Sequence, residues 1–168
     1  MEKKEEDLNV TQEQIEAIRR EALDELRMHF VFNTLNGIRF LIRTDPEAAY
    51  RVVYDLAQFL QNDLQMVAVG GSVPLQEEFS FVEAYIKLEQ MQKRKIQLVI
   101  CREGSQNFNV EYGSIYRAVE KLLKEDVYKN RQDRTLIIQI SDSAEVVKVG
   151  VRETGKGVEI PLIRRNIE

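Results

Sequence analysis

Two helical apolar patterns joined by a very short turn constrain the fold of this chain more than any other feature of its sequence. Apolar residues recur at spacings of three and four between Ile15 and Ile42, and again between Val53 and Leu64. The turn between them is Thr44-Asp45-Pro46-Glu47, in which Thr or Asp can cap the second helix and Pro fits its first turn. Two long helices joined by so short a turn form an antiparallel hairpin.

This hairpin has more apolar surface than it can bury by itself. Between Phe30 and Leu35 the apolar residues cover more than one face of the first helix, which is typical of a helix that packs against two neighbours. A single hairpin buries such a surface poorly, whereas two copies bury it in a four-helix bundle. The sequence therefore predicts a homodimer.

The step Gly70-Gly71-Ser72 separates the hairpin from a sequence with a different pattern. Beyond this linker, Pro74 opens a third helix whose apolar residues extend from Leu75 to Ile86. Alternating and turn-forming residues then predict a small layer of strands with one helix. The predicted strands are 96–101, 135–140 and 145–152, the helix is 112–124, and the turns are 104–107 and 141–144.

These patterns predict an α+β protein with two domains. Residues 1–69 are expected to form the dimerising helical hairpin. Residues 70–168 are expected to form a linker helix and a small, incomplete α/β-sandwich lobe. Hydrophobic residues make up 43% of the chain, which is enough apolar mass for a packed core.

The composition excludes several classes of function. A net charge of −4 argues against non-specific electrostatic binding to nucleic acid or anionic lipid. The longest run without Asp, Glu, Lys or Arg is Leu64–Gln76, whose 13 residues are too few to span a bilayer. With one cysteine, Cys101, and one histidine, His29, the chain offers neither a zinc site nor an internal disulfide. We therefore expect a cytoplasmic protein without a metal site, in which Cys101 is a small core residue.

The single histidine lies in the first helical pattern, one turn before an asparagine. Asn33 follows His29 by four residues, so both side chains lie on one face of the helix, and Asn36 continues the same side. Asn is a poor helix former, so two of them inside a helix lower its stability. From this spacing alone two interpretations stay open: the two side chains satisfy each other at a bundle surface, or they form a reactive pair.

The run His29-Phe30-Val31-Phe32-Asn33-Thr34-Leu35-Asn36 resembles the phospho-acceptor motif of LytS-like sensor histidine kinases, which reads roughly N-P-H-F-L-F-N-T-L-N. Residues 41–47 and 73–78 resemble the hairpin turn and the V-P-L-x-E-E start of the third helix in the same family. The resemblance implies that His29 accepts and donates a phosphoryl group, which Asn33 helps to orient. The asparagine and proline that precede the family's histidine are replaced here by Arg27 and Met28.

Two arginines near His29 are candidates for neutralising the charge of a phosphoryl group. Arg27 precedes the histidine by two residues, and Arg39 follows it further along the helix. Both are equally consistent with solvated surface residues.

The resemblance also implies a GHKL-type ATP-binding lobe in the second half of the chain. Its magnesium helix, L-V-E-N-A in the family, reads Ala118-Val119-Glu120-Lys121-Leu122 here, so Lys121 stands in the place of the metal-binding asparagine. Its adenine loop, V-x-D-N-G-x-G, reads Val151-Arg152-Glu153-Thr154-Gly155-Lys156-Gly157. By this resemblance the cofactor-binding candidates are Glu120, Glu153, Gly155 and Gly157, although the two glycines are also consistent with a plain turn.

These departures predict a degenerate lobe. An ammonium group has no lone pair with which to bind a cation. The lid and the second glycine-rich segment of the family would lie beyond Glu168. We therefore expect no cofactor, and no autophosphorylation from the ATP and Mg²⁺ that the family uses.

The sequence leads to a two-component signalling protein with a phosphohistidine at His29. The expected relay runs between this histidine and the aspartate of a response regulator receiver domain, with no nucleic acid as partner. The family is a phosphotransferase family, but the substituted motifs leave open whether the chain itself is an enzyme. One alternative is a non-catalytic dimerisation or adaptor module that binds a kinase or regulator. Another is a trimmed cytoplasmic fragment of a membrane sensor kinase, attached to the membrane through a missing N-terminal region.

Overall fold

The computed structural model describes residues 12–92, 95–104, 108–130 and 133–164, apart from the side chains of 126–130 and of most residues before Arg27. Helices α1 (Gln12–Thr44) and α2 (Pro46–Ala68) form the predicted hairpin, joined through Asp45 alone. The Asp45 carboxylate accepts a hydrogen bond of 3.0 Å from the backbone N–H of Ala48, and Pro46 occupies the first turn. The turn residues therefore end α1 and start α2 as the sequence predicts.

Helices α3 (Leu75–Met91) and α4 (Ser114–Asn130) pack on a four-stranded sheet. The sheet has the order β2-β4-β5-β6, with β2 parallel to β4 and the other pairs antiparallel. Its strands are β2 (Ile96–Glu103), β4 (Arg134–Ser141), β5 (Val146–Val151) and β6 (Gly157–Pro161). The three predicted strands and the predicted β-hairpin are confirmed, and so is the α+β fold class.

A second, three-stranded sheet was not predicted from the sequence. It has the order β1-β3-β7, with strands β1 (Ser72–Pro74), β3 (Phe108–Glu111) and β7 (Ile163–Arg164). Strands of two to four residues are too short to show alternation, and β1 ends in a proline. The predicted turn at 104–107 lies for the most part outside the described residues.

Glu78 connects α3 to the start of α4. Its carboxylate is fully buried and accepts hydrogen bonds from the backbone N–H groups of Gly113, Ile115 and Tyr116, at 2.8, 2.9 and 2.9 Å. These groups at the first turn of α4 have no partner within the helix. Burial raises the pKa of Glu78, while the three hydrogen bonds act to lower it.

The sheet has one face covered by α3 and α4 and one face open to solvent. Leu136, Ile138, Val147 and Val149 are buried on the covered face. Cys101, which the sequence analysis assigned to the core, is exposed, so that prediction is wrong. β2 is at the edge of the sheet, and Cys101 lies in the alternate set of side chains, which points away from the helices.

Within the part of the chain that the structure describes, no helix combines the length and the apolar character needed to cross a membrane.

Candidate functional site

The imidazole of His29 is exposed on α1 and touches the side chain one turn further along. Its Nδ1 lies 3.1 Å from Nδ2 of Asn33. A helical spacing of four residues stacks the two side chains, as the sequence predicts. The contact involves only Nδ1, so it fixes the orientation of the imidazole ring and leaves the other ring nitrogen, Nε2, without a contact to Asn33.

The opposite side of α1 is buried. Phe30, Thr34 and Ile38 form that side, and the hydroxyl of Thr34 donates a hydrogen bond of 2.9 Å to the carbonyl oxygen of Phe30. Phe32, by contrast, is 57% exposed on the solvent side. The helix therefore holds His29 at the surface because its neighbours on the other side are packed.

Arg27 does not lie beside His29. Two residues along a helix correspond to about 200° of rotation, so the two side chains leave α1 in nearly opposite directions. The guanidinium of Arg27 pairs with the carboxylate of Asp63 on α2 at 3.5 Å, and both side chains are largely buried. The expectation that Arg27 neutralises a phosphoryl group is therefore wrong. Arg39, the second candidate, is exposed further along α1.

Glu120, the first nucleotide-binding candidate, is buried on α4. Its Oε1 accepts hydrogen bonds from the hydroxyl of Tyr116 at 3.0 Å and from Nζ of Lys124 at 2.8 Å. Burial and the neighbouring carboxylate raise the pKa of Tyr116 far above that of a free tyrosine. Lys121, the next residue along the helix, is exposed on a different side. The Glu120 carboxylate is thus satisfied by two donors of its own helix.

The other three candidates lie near one another at the end of β5 and the start of β6, with Glu153 and Gly155 in the connection and Gly157 as the first residue of β6. Both carboxylate oxygens of Glu153 accept from the backbone N–H of Thr135, at 3.0 and 2.9 Å, and this bond lowers the pKa of Glu153. Gly155 has a φ of 67°, a left-handed conformation, and its N–H donates to Val151 at 2.9 Å. Gly157 pairs with Gly150 in the sheet, where an added Cβ would lie 3.1 Å from a backbone oxygen.

The structure thus groups the candidates into two sets. His29 and Asn33 are in contact, and Glu153 and Gly155 share the connection that leads into β6 at Gly157. No cluster of three or more His, Cys, Asp or Glu side chains within the described ranges is arranged to hold a metal ion.

Sequence reasoning missed the buried residue Glu78 as a link between helices. The available signal was a carboxylate on the apolar stripe of α3, next to Leu75, Phe79 and Val82. An acid in that position requires donors on the facing element, because an unpaired buried carboxylate is very unfavourable. Phe79, Phe81 and Tyr85, the aromatic residues of the same helix, are all buried.

Comparison with known proteins gives a consistent result for both parts of the chain. The family model described as "Histidine kinase" matches residues 20–96. The sensor protein LytS of Staphylococcus haemolyticus is 30% identical over 145 residues, and that of Streptococcus mutans is 29% identical over 143, each covering 83% of this chain and 24% of the relative. The sensor histidine kinase YpdA of Escherichia coli is 22% identical over 142 residues, which cover 84% of this chain and 25% of the relative.

The chain spans about a quarter of the length of these curated relatives. The family match begins at residue 20, within α1, and ends at residue 96, just after α3. It therefore covers most of the hairpin, the His29–Asn33 pair and the helix that carries Glu78. The matches to the LytS proteins extend over most of the remaining lobe. This chain belongs to the LytS-like family of sensor histidine kinases, which are signal-transduction proteins.

Proposed function

We propose that this chain is a dimeric phosphohistidine module of a two-component system, in which His29 exchanges a phosphoryl group with the receiver domain of a response regulator. The observation that carries the proposal is the exposed imidazole of His29, held through Nδ1 by Asn33. The proposal places the chain in the cytoplasm, and it holds equally for the cytoplasmic part of a longer membrane sensor.

The contact with Asn33 supports a separate role for each ring nitrogen. The structure has the amide nitrogen Nδ2 of Asn33 facing Nδ1; when the amide rotates by half a turn, its oxygen accepts a hydrogen bond from Nδ1–H and the lone pair of Nε2 is left free. Nε2 then attacks the phosphorus of the receiver's aspartyl phosphate, the P–O bond to the aspartate breaks, and the aspartate leaves as a carboxylate. While Nδ1 keeps its proton the phosphorylated ring is a cation, which the amide oxygen of Asn33 stabilises through its hydrogen bond, and the ring becomes neutral when Nδ1 releases that proton to water. Such a transfer depends mainly on positioning, because its transition state is loose.

The lobe supports a phosphoryl donor other than bound ATP. By resemblance, Mg²⁺ would be held where Lys121 stands, and an ammonium cannot ligate a cation. The carboxylates of Glu120 and Glu153, the other two polar candidates, already accept hydrogen bonds from donors within the lobe. These residues do not fit Mg²⁺-ATP, so no step of the proposed relay passes through a nucleotide.

The apolar surface of the hairpin supports the dimer. Met28, Leu35 and Ile42 are exposed on α1 at seven-residue spacing, and exposed apolar side chains follow α2 in the same way. Seven-residue repeats form continuous seams between packed helices. On α2 the residues of this repeat are Val53, Leu60 and Val67, and Leu64, one turn after Leu60, is exposed as well.

Labelling of the purified chain tests the relay. A receiver domain carrying a radiolabelled aspartyl phosphate should transfer acid-labile label to the protein, and labelled ATP should not. His29→Ala should abolish the labelling, and Asn33→Ala should slow it about tenfold or more, because the imidazole loses its orientation. Asn36→Ala is the matched control, since Asn36 is exposed one turn away and should not affect the rate.

The outcomes separate the alternatives. Acid-labile label on His29 from ATP would overturn the proposed loss of kinase activity. Absence of label from every phosphorylated receiver domain of the source genome would overturn the relay and favour the adaptor interpretation.

A second variant pair tests the dimer. Leu64 is 70% exposed and belongs to the apolar seam of α2, whereas the exposed Gln65 lies beside it on another side of the helix. Leu64→Glu should shift the protein to a monomer in sedimentation experiments, because the substitution places a charge in the seam. Gln65→Glu should leave the dimer intact. A monomeric parent protein at micromolar concentration would contradict the proposal.

A further inference from the structure

The hairpin and the lobe share one cluster of aromatic rings. Phe30 of α1 and Phe59 of α2 lie 5.3 Å apart, between ring centroids, and both contact Tyr85 of α3, at 5.4 and 5.9 Å. Phe59 also contacts Phe81 and Tyr116 of the lobe, at 5.6 and 5.8 Å. All five rings are buried. The inner side of the hairpin is therefore completed by the lobe, and separating the two would expose these rings to water.

The end of α2 makes a second contact with the lobe. Gly113, in the turn before α4, has a φ of 78°, and a Cβ added there would lie 2.9 Å from Cγ of Met66 on α2. Nη1 of Arg117 lies 3.7 Å from the sulfur of Met66 and donates to the carbonyl oxygen of Tyr112 at 3.3 Å. The first turn of α4 is thus packed directly against the last turns of α2.

The end of α3 makes a third contact, with α1. A Cβ added to Gly37 would lie 2.9 Å from Cε of Met91, so the two helices approach closely there. The side-chain amide of Gln92 donates to the hydroxyl of Thr34 at 3.5 Å. In each of these three contacts the hairpin side and the lobe side are far apart along the chain, and together the contacts oppose rotation of the lobe about any single hinge.

We infer that the degenerate lobe is a fixed bracket of the hairpin, by which we mean a rigid support packed on the inner side of α1 and α2. It does not move relative to His29 when the phosphoryl group is transferred. The inference rests on the proposed relay and adds to it. A lobe that delivers its own nucleotide to His29 must leave a docked position, whereas a bracket keeps the inner side of α1 covered and the His29 side open to an external donor. The lobe then acts by positioning the hairpin and makes no contact with the reacting atoms.

An engineered disulfide tests the bracket. A cysteine sulfur at position 66 would lie about where Cγ of Met66 lies, and the 2.9 Å from there to a Cβ at position 113 is compatible with a disulfide bond. The variant is Met66→Cys with Gly113→Cys in a Cys101→Ser background, compared in its oxidised and reduced forms. Both forms should accept label from the phosphorylated receiver domain at the same rate, within twofold.

Each result has a defined meaning. A tenfold or greater loss of acceptance on oxidation, restored by reductant, would overturn the bracket, since it would show that the lobe must move. Because a side chain at the φ of Gly113 is strained, the variant is first compared with the parent protein by circular dichroism; thiols that fail to pair in a variant with the parent's spectrum would contradict the contact itself. Absence of label on the parent protein would mean that the proposed relay fails. Label on the reduced variant that is lost on oxidation would mean that the bracket fails, so the two failures are distinguishable.

A spectroscopic measurement tests the bracket independently of the relay. Spin labels at Gln58→Cys on α2 and Lys121→Cys on α4, also in the Cys101→Ser background, report the distance between hairpin and lobe. Labelled chains are diluted with unlabelled chains so that each dimer carries one labelled copy. We expect one narrow distance distribution that Mg²⁺-ATP does not change. Two distances, or a shift on addition of the nucleotide, would overturn the inference.

Discussion

The helical hairpin and the lobe differ in what their side chains face. On the outer side of the hairpin, large apolar groups and the imidazole of His29 face solvent. In the lobe, the carboxylates of Glu78, Glu120 and Glu153 accept hydrogen bonds from groups of the lobe itself. Groups that face solvent remain available for chemistry and association, whereas those in the lobe stabilise the fold. The phospho-acceptor motif around His29, which the sequence retains, therefore also holds the candidate residue that is accessible to solvent on the hairpin.

The hairpin and the lobe do not differ at the inner side of the hairpin. Phe30 and Phe59 are buried against the aromatic residues of α3 and α4. Here the hairpin resembles the lobe, because its side chains are used for packing. The two regions therefore differ at their outer surfaces and share one core. The domain boundary at residue 69 remains a prediction.

The shared core can be broken at Phe59. Phe59→Ala should lower the free energy of unfolding by about 3–5 kcal/mol, the usual cost of removing a buried phenylalanine. Urea unfolding followed by circular dichroism measures the change. The matched control is Phe40→Ala, because Phe40 is 68% exposed on α1 and should change the stability by less than about 0.5 kcal/mol. Equal effects of the two substitutions would contradict the shared core.

The carboxylate of Glu78 offers a test of the lobe's internal hydrogen bonds. Glu78→Gln should destabilise the protein by about 1–3 kcal/mol, because one carboxylate acceptor becomes an amide donor facing a buried N–H. The comparison variant is Glu77→Gln, since Glu77 is exposed and one residue away. Chemical denaturation at pH 7 measures both. A loss for Glu77→Gln as large as that for Glu78→Gln would show that the hydrogen bonds at α4 do not matter.

Gly155 distinguishes a structural turn from a nucleotide loop. Its φ of 67° favours glycine, and an added Cβ would meet nothing within 4 Å. Gly155→Ala should therefore cost about 1 kcal/mol from backbone conformation alone. Lys156→Ala is the neighbouring control and should be close to neutral. Thermal unfolding measures both, and a neutral Gly155→Ala would contradict the conformational role.

The pH dependence of stability should have opposite signs for two of the lobe's carboxylates. Burial raises the pKa of Glu78, so its contribution is largest below the ordinary pKa of glutamate and is lost as the pH rises through the raised value. The N–H of Thr135 lowers the pKa of Glu153, so its contribution is present above the ordinary value and is lost as the pH falls through the lowered one. Because Glu153 is exposed, its effect is the smaller of the two.

Melting temperatures between pH 3 and pH 7 measure this difference. Relative to Glu78→Gln, the parent protein should lose stability as the pH rises. Relative to Glu153→Gln, the parent protein should gain stability as the pH rises through the acidic part of the range. Parallel profiles for the two variants would contradict the assigned causes.

The local elements of this protein follow from local sequence. The spacing of apolar residues predicts α1 and α2, and Asp45 with Pro46 predicts the turn between them, because capping and periodicity act within a few residues. The pair His29 and Asn33 is predicted for the same reason, since one helical turn separates the two side chains.

The sequence pattern was insufficient wherever a distant element decided the outcome. β3 forms only because β1 and β7 pair with it, and each of these strands is too short to carry a pattern. Alternation divides the residues of β2 between two faces, but it does not indicate which face the helices cover, and so the prediction for Cys101 was wrong. Arg27 is likewise directed by Asp63 on the neighbouring helix.

By itself, the sequence determined the helical hairpin, three of the four strands of the larger sheet and the position of His29 at one helical turn from Asn33, because these depend on interactions between near neighbours. Only the tertiary structure decided that Phe59 packs into the lobe, and that Glu78, Glu120 and Glu153 are occupied by donors of the protein. Those contacts join residues that are distant in sequence or directed by packing, and they depend on which faces meet when the chain closes on one core.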